Sequence, residues 1–310
     1  MNSGNQRTLV SIAILIFCSL HVKAQLNIVK KNDGIKEYTT ENSLPYDSIM
    51  NLCTESFPSL PGQTLFMHGA KNDQHGYDDT FFTDNFLVDK RNIYKVENVC
   101  FTPSKAVVGK YYDVLKVWTK RDYFSMGCCI LLKEKESGDE IYYNGYKYPE
   151  SMTCLGYYEK LKRYIGKSFK SLGIQVENTD GIVVNPIEGE NYKCVDVALE
   201  MNSNGAFLVM EDEKKNRLKA TPVGPEVYEF VSEDRINELT DKYGKKYGEQ
   251  IAFRKVVIGM NEEMVRTAWG EPYRKSEITN NKSKIETWSY SNNRYVYITD
   301  GKVSDINIYK

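Results

Sequence analysis

The chain has 310 residues, 41% hydrophobic and 27% charged, with a formal net charge of −1. That is ordinary globular composition. It supplies neither the basic domain that nucleic acid requires nor a polybasic patch for a membrane surface.

Taken in chain order, the first element is a predicted signal peptide, residues 1–24. Arg7 gives the positive start, and residues 9–20 form an apolar run. A run of about a dozen residues is too short for the ~20-residue helix that spans a bilayer. Val22-Lys23-Ala24 precedes the expected cut, which leaves Gln25 as the new N-terminus. The bulky Leu15-Ile16-Phe17 before Cys18 argues against a lipoprotein signal. Loss of Arg7 and Lys23 takes the formal charge to about −3. No later segment approaches a membrane span. The expected address is secreted or periplasmic, with association with the cell envelope open. About 285 remaining residues leave room for two or three domains.

Residues 25–155 and 156–228 read as two β-rich modules. In the first, 111–118 alternates, with Tyr112, Val114 and Lys116 predicted on one face and Asp113, Leu115 and Val117 on the other. Residues 128–132 are an apolar strand, 133–139 a charged turn, and 140–143 a return strand. The layout recurs downstream in 192–199, 206–210, 211–216 and 217–221. Gly62-Gln63-Thr64-Leu65-Phe66 and Gly166-Lys167-Ser168-Phe169 open the two stretches alike. Two diverged modules are one reading, each a small barrel or curled sheet; two unrelated runs of hairpins are the other. Residues 157–165 between them suit a short helix. Pro222-Val223-Gly224-Pro225 is the expected linker to the C-terminal helices.

Six cysteines follow the signal: Cys53, Cys100, Cys128, Cys129, Cys154 and Cys194. An oxidising compartment permits pairing, but the spacings are irregular, so free buried thiols and one or two disulfides stay open. Cys128 and Cys129 must point to opposite faces of a strand. With no C-x-x-C pair, neither a zinc site nor a redox motif is indicated. His68, Asp73 and His75 share one loop and are weak metal-ligand candidates, because their spacing matches no standard signature. No nucleophile elbow, Ser-x-x-Lys set or phosphate-binding glycine loop occurs. No enzyme activity, metal or cofactor is therefore expected.

The last third begins at 229. Ser232-Glu233-Asp234 starts a helix with Ile236, Leu239 and Tyr243 on one face, and Gly244 and Gly248 punctuate its end. Asn261 caps a second helix over 262–269, with Glu262 and Glu263 in its first turn and Met260 and Val265 spaced for a hydrophobic staple. Gly270 and Pro272 stop it. Strands follow at 273–279, 284–291, 294–299 and 302–309, with turns at 280–283 and 292–293. Asp300-Gly301 signals a type I′ hairpin. Glu286, Trp288 and Tyr290 fall on one face, and Tyr295 and Tyr297 alternate with Val296 and Ile298.

These residues resemble a known family. Lys242-Tyr243-Gly244, Val257-Ile258-Gly259-Met260, Met264-Val265, Trp269-Gly270-Glu271-Pro272, Glu286-Thr287-Trp288-Ser289-Tyr290, Tyr297 and Asp300-Gly301-Lys302-Val303 carry the likeness. They look like the SmpA/OmlA module, the BamE-like fold of outer-membrane assembly lipoproteins, whose relatives include the β-lactamase-inhibitor-protein fold. The resemblance covers roughly 233–310 and implies a non-catalytic binding or scaffolding module. The lipid-attachment cysteine of those lipoproteins is missing at the expected place, so membrane anchoring is not carried over.

The reading is thus an α+β protein: mainly antiparallel β modules, then a C-terminal two-layer module of helix, helix and meandering strands over 229–310. The expected function is an extracytoplasmic interaction or scaffolding protein that binds a protein partner through that module. Its 23 tyrosines suit both strands and recognition surfaces. Trp288, Tyr290, Tyr295 and Tyr297 are the partner-binding candidates, with core packing of Trp288 against the Val265/Trp269 helix as the rival. An envelope hydrolase, or a carbohydrate- or small-ligand-binding protein using the β region, is the alternative.

Overall fold

The computed structural model describes residues 35–69, 77–78, 81–82, 102–121, 126–145, 151–279, 284–291 and 293–309. The expected signal peptide, Cys18, Asp73, His75, Cys100 and the 280–283 turn lie outside them. The chain is mixed α+β, with more strand than helix and antiparallel sheets.

The first sheet uses β1 (Ile35–Thr39), β2 (Thr64–Met67), β4 (Phe81–Phe82), β6 (Tyr111–Arg121), β7 (Met126–Glu134), β8 (Glu140–Gly145) and β9 (Met152–Cys154). The short strands β3 (Tyr77–Asp78) and β5 (Thr102–Pro103) pair with each other, and α1 (Ser104–Val107) follows β5. The order is β4-β8-β7-β6-β2-β9, with β1 beside β2 on one edge of the long β6. Helix α2 (Leu155–Leu161) leaves β9 directly.

The second sheet uses β10 (Ser168–Ser171), β11 (Val176–Asn178), β12 (Val183–Val184), β13 (Asn191–Ala198), β14 (Phe207–Glu211) and β15 (Arg217–Ala220). A hairpin of β16 (Pro222–Val223) and β17 (Glu226–Val227) precedes its last strand, β18 (Phe230–Ser232). The order is β12-β11-β15-β14-β13-β10-β18. Apart from β1 and β12, the two sheets share one topology, strand for strand.

The likeness extends to single hydrogen bonds. Gly62 N donates to Val114 O at 2.9 Å, and Val114 N to Gln63 O at 2.9 Å. Gly166 N donates to Cys194 O at 2.8 Å, and Cys194 N to Lys167 O at 3.0 Å. Each long strand then bulges one residue later, at Leu115 and at Val195. A bulge adds one residue and inverts the face of everything after it. Tyr112, Val114 and Val117 therefore enter the core together, as do Tyr192, Cys194 and Val197. This corrects the strict alternation predicted for 111–118: Val117 shares a face with Tyr112, while Leu115 packs with Trp118 on the reverse side.

A single core runs through both sheets, from Leu52 to Phe230, and includes Tyr157, Leu161 and Tyr164 of α2 and the turn after it. The Pro222-Pro225 stretch is not a linker. It is the tight hairpin β16–β17, with Gly224 at φ 58° in its turn and Val227 buried in that core. Among the described residues, Cys53, Cys129, Cys154 and Cys194 are free thiols. Cys128 faces the main core and Cys129 the reverse cluster, as adjacent strand residues must.

Glu134 closes the β7–β8 turn by accepting from Glu136 N at 2.9 Å and Ser137 N at 2.7 Å. The Ser137 hydroxyl and these amides pull its carboxyl from 4.5 to about 2. A lowered folded pKa stabilises the fold above the unfolded value and loses that contribution on protonation. The stability advantage of wild type over Glu134→Gln should be constant above about pH 4.5 and vanish as pH falls toward about 2. Denaturant titrations of both proteins across that window would check it, and a constant difference would contradict the assignment.

The last unit starts with no linker. Ser232 ends β18 and accepts from Arg235 N at 3.2 Å, capping α3 (Glu233–Ala252). Cys154 holds the matching place between β9 and α2. Gly244, at φ 75° and ψ 156°, breaks α3 in a conformation essentially reserved for glycine. The chain turns back there, and Gly248 meets Leu239 and Thr240 so closely that a Cβ would lie 2.4 Å from the Leu239 carbonyl. Gly244 and Gly248 thus build a helical corner instead of ending the helix. Helix α4 (Glu262–Trp269) follows, then β19 (Arg274–Thr279), β20 (Lys284–Tyr290), β21 (Arg294–Thr299) and β22 (Lys302–Ile308) as a sequential meander. Among the described residues no helix is long and apolar enough to cross a membrane.

Candidate functional site

The C-terminal sheet has two faces of different character, and local sequence sets both. Asn261 Oδ1 accepts from Met264 N at 2.9 Å, which starts α4. Met260 and Val265 are both fully buried in one core, consistent with the staple. Gly270 ends the helix, donating to Arg266 O at 2.8 Å. This places Val265 and Ala268 over the inner face of the sheet.

The inner face holds Glu286, Trp288 and Tyr290 of β20, with Val296 and Ile298 of β21. Trp288 is fully buried. Its Nε1 donates to Glu286 Oε2 at 2.8 Å, and Lys284 neutralises that carboxylate at 2.6 Å. The Arg266 guanidinium lies 4.6 Å from the Trp288 ring and the Lys275 ammonium 4.2 Å. Glu271 bridges the two cations, at 3.1 Å from Arg266 and 3.6 Å from Lys275. The Gly-Glu-Pro stop signal thus doubles as the lid of this tryptophan. Tyr290 donates to Gly270 O at 3.2 Å and packs edge-on against Trp269.

The outer face carries Tyr297 opposite Thr287 and Tyr295 opposite Ser289. The four aromatic candidates therefore do not share a face. Trp288 and Tyr290 are core residues, because Val265 and Trp269 cover their side of the sheet. Tyr295 and Tyr297 remain, half-buried, on the other side. The structure adds Tyr309, exposed and edge-on to Tyr295 at 5.9 Å. Sequence periodicity missed Tyr309 because β22 bulges at Ser304: Tyr297 opposes Asp305, whereas Ile298 opposes Val303. The Ser304 hydroxyl bonds the Tyr297 carbonyl at 3.2 Å. The bulge turns Ile306 inward, and Asp305 and Asn307 outward beside the tyrosines. Strand β19 forms one margin of the sheet; all six of its residues are exposed, including Ile278.

The other candidate loop is only partly described. His68 is fully buried, its Nδ1 lies 2.7 Å from Gly69 O, and burial pushes its pKa down. It is a core histidine and not an open ligand. Among the described residues, no group of three or more His, Cys, Asp or Glu could hold a metal ion. The chain matches no family model, no curated protein and no solved structure.

Proposed function

We propose that this is a secreted or periplasmic interaction protein, and that residues 233–310 are a BamE-like module that binds a protein partner. Three features support the module reading: the helical corner at Gly244, the capped second helix ending in Gly-Glu-Pro, and the four-stranded meander with its Asp-Gly turn. Asp300 and Gly301 both have positive φ, at 51° and 77°, as a type I′ turn needs.

The observation that carries the binding role is the outer face. Tyr295, Tyr297 and Tyr309 sit among Ser, Thr, Asn and Asp, with β20 between them and the exposed margin strand β19. Tyrosine with small polar neighbours is the composition of recognition surfaces, since the ring gives area at low entropy cost and the hydroxyl gives direction. An extended partner segment has two ways to engage: across the tyrosines, or along β19 by strand addition.

The Tyr295→Ser/Tyr297→Ser double variant should lose at least about tenfold in affinity for envelope proteins captured by the wild-type mature chain. Its unfolding free energy should stay within about 1 kcal/mol of wild type. Quantitative capture alongside denaturant unfolding tests both. Unchanged capture by a folded double variant would remove this face from the proposal.

A further inference from the structure

A cavity of about 600 Å³ opens where the two hydrophobic cores face each other at strand β18. Phe169 of β10 and Phe230 of β18 line it from the larger core. Leu239 and Ile251 of α3 and Ala268 of α4 line it from the C-terminal core. All five are buried. Protein interiors normally close on one another, with few voids larger than a water molecule. Two apolar walls around a space of this size are an exception. The volume falls within the range of small-molecule pockets, about 300–1,000 Å³. None of these residues belongs to the outer tyrosine face.

The rim adds charge that is not balanced. Lys167 pairs with Asp234 at 2.6 Å, Arg235 with Glu238 at 2.7 Å, and Arg254 with Glu226 at 3.7 Å. These three pairs use every carboxylate that lines the cavity. Arg163 lines it as well and is left over. Among the described residues its polar contact is Nη2 donating to the Tyr164 hydroxyl at 3.0 Å, and its guanidinium lies 4.9 Å from the Tyr164 ring centre. The Tyr164 hydroxyl in turn donates to Pro225 O at 2.7 Å, so the ring that carries Arg163 is itself fixed. A guanidinium has five donors, and one is used here.

We infer that this cavity binds a small amphipathic carboxylate, an acyl chain with one acid group. The chain lies against Phe169, Phe230 and Leu239, and the acid pairs with Arg163. A guanidinium suits this role because its fork matches a carboxylate and its weak hydration lets it pair beside apolar surface. One uncompensated cation matches one negative charge. An amine would meet Arg163 with like charge, and an alcohol would fill the space without the ion pair.

The test uses the mature full chain and three probes of one chain length: octanoate, octanol and octylamine, at one pH near neutrality and low salt. Octanoate should bind saturably below about 1 mM, with amide shifts confined to residues 163–172, 225–239, 251–254 and 267–268. Octanol and octylamine should each bind at least about tenfold more weakly, since the ion pair is worth about a tenfold step or more. Butanoate should also lose at least about tenfold, because it leaves the apolar walls uncovered. Arg163 is exposed, so Arg163→Gln should leave unfolding unchanged. That variant should bind octanoate no better than octanol, with octanol affinity as in wild type. The inference is overturned by no saturation up to about 30 mM octanoate, by shifts elsewhere, by octylamine or butanoate binding as tightly as octanoate, or by an Arg163→Gln protein that keeps the octanoate preference.

Discussion

Trp288→Ala should destabilise the C-terminal unit by about 4 kcal/mol, the largest single loss expected there. The residue is fully buried, and three separate contributions go with it. The ring's apolar area returns to water and leaves a cavity under α4. Arg266 and Lys275 lose the ring they stack on. Glu286, itself 8% exposed, loses its indole donor and keeps only Lys284. Trp288→Phe separates these, since it keeps most of the area and removes the donor; about 1–2 kcal/mol is expected. Denaturant unfolding followed by tyrosine and tryptophan fluorescence would measure both. A Trp288→Ala loss below about 1 kcal/mol would show that the inner face is not this unit's core.

Gly248→Ala should cost about 3 kcal/mol, although alanine is the better helix former by about 1 kcal/mol. The added methyl would stand 2.4 Å from both Leu239 O and Thr240 Cα. Both are backbone atoms within a helix, so neither can yield without moving that helix. Gly244→Ala provides the contrast. Nothing lies within 4 Å of its Cβ position, so its penalty is backbone strain alone, about 1–3 kcal/mol. Thermal and denaturant unfolding of the two variants would check the ranking. A Gly248→Ala protein as stable as wild type would mean that the two halves of α3 do not touch there.

The C-terminal unit was legible because its signals are local. Caps, glycine stops and the Asp300-Gly301 turn each depend on a few adjacent residues, and α4 appears where Asn261 and Gly270 placed it. The likeness of the two β stretches was visible in their opening residues but not settled by them. Tyr112, Val114 and Val117 share a face only because their strand bulges, and so do Tyr192, Cys194 and Val197, and nothing in a strand's own sequence announces a bulge. The same difficulty hid Tyr309 behind Ser304. The Pro222-Pro225 hairpin was misread as a linker because proline and glycine mark any turn; burial of Val227 decides between them. At the candidate surface, alternation separated Trp288 and Tyr290 from Thr287 and Ser289, but not which set faces the helices.

Strand β18 has a mechanical consequence. Its three residues are hydrogen-bonded to β10, from Phe230 opposite Ser171 to Ser232 opposite Phe169, and Ser232 is at once the cap of α3. A pull on the C-terminal unit is therefore loaded in shear onto a sheet margin, with no slack residue to absorb it. Severing the chain at 229 would amputate that margin and strip Phe230 from the larger core, so any excised fragment has to begin beyond the strand and supply its own helix start.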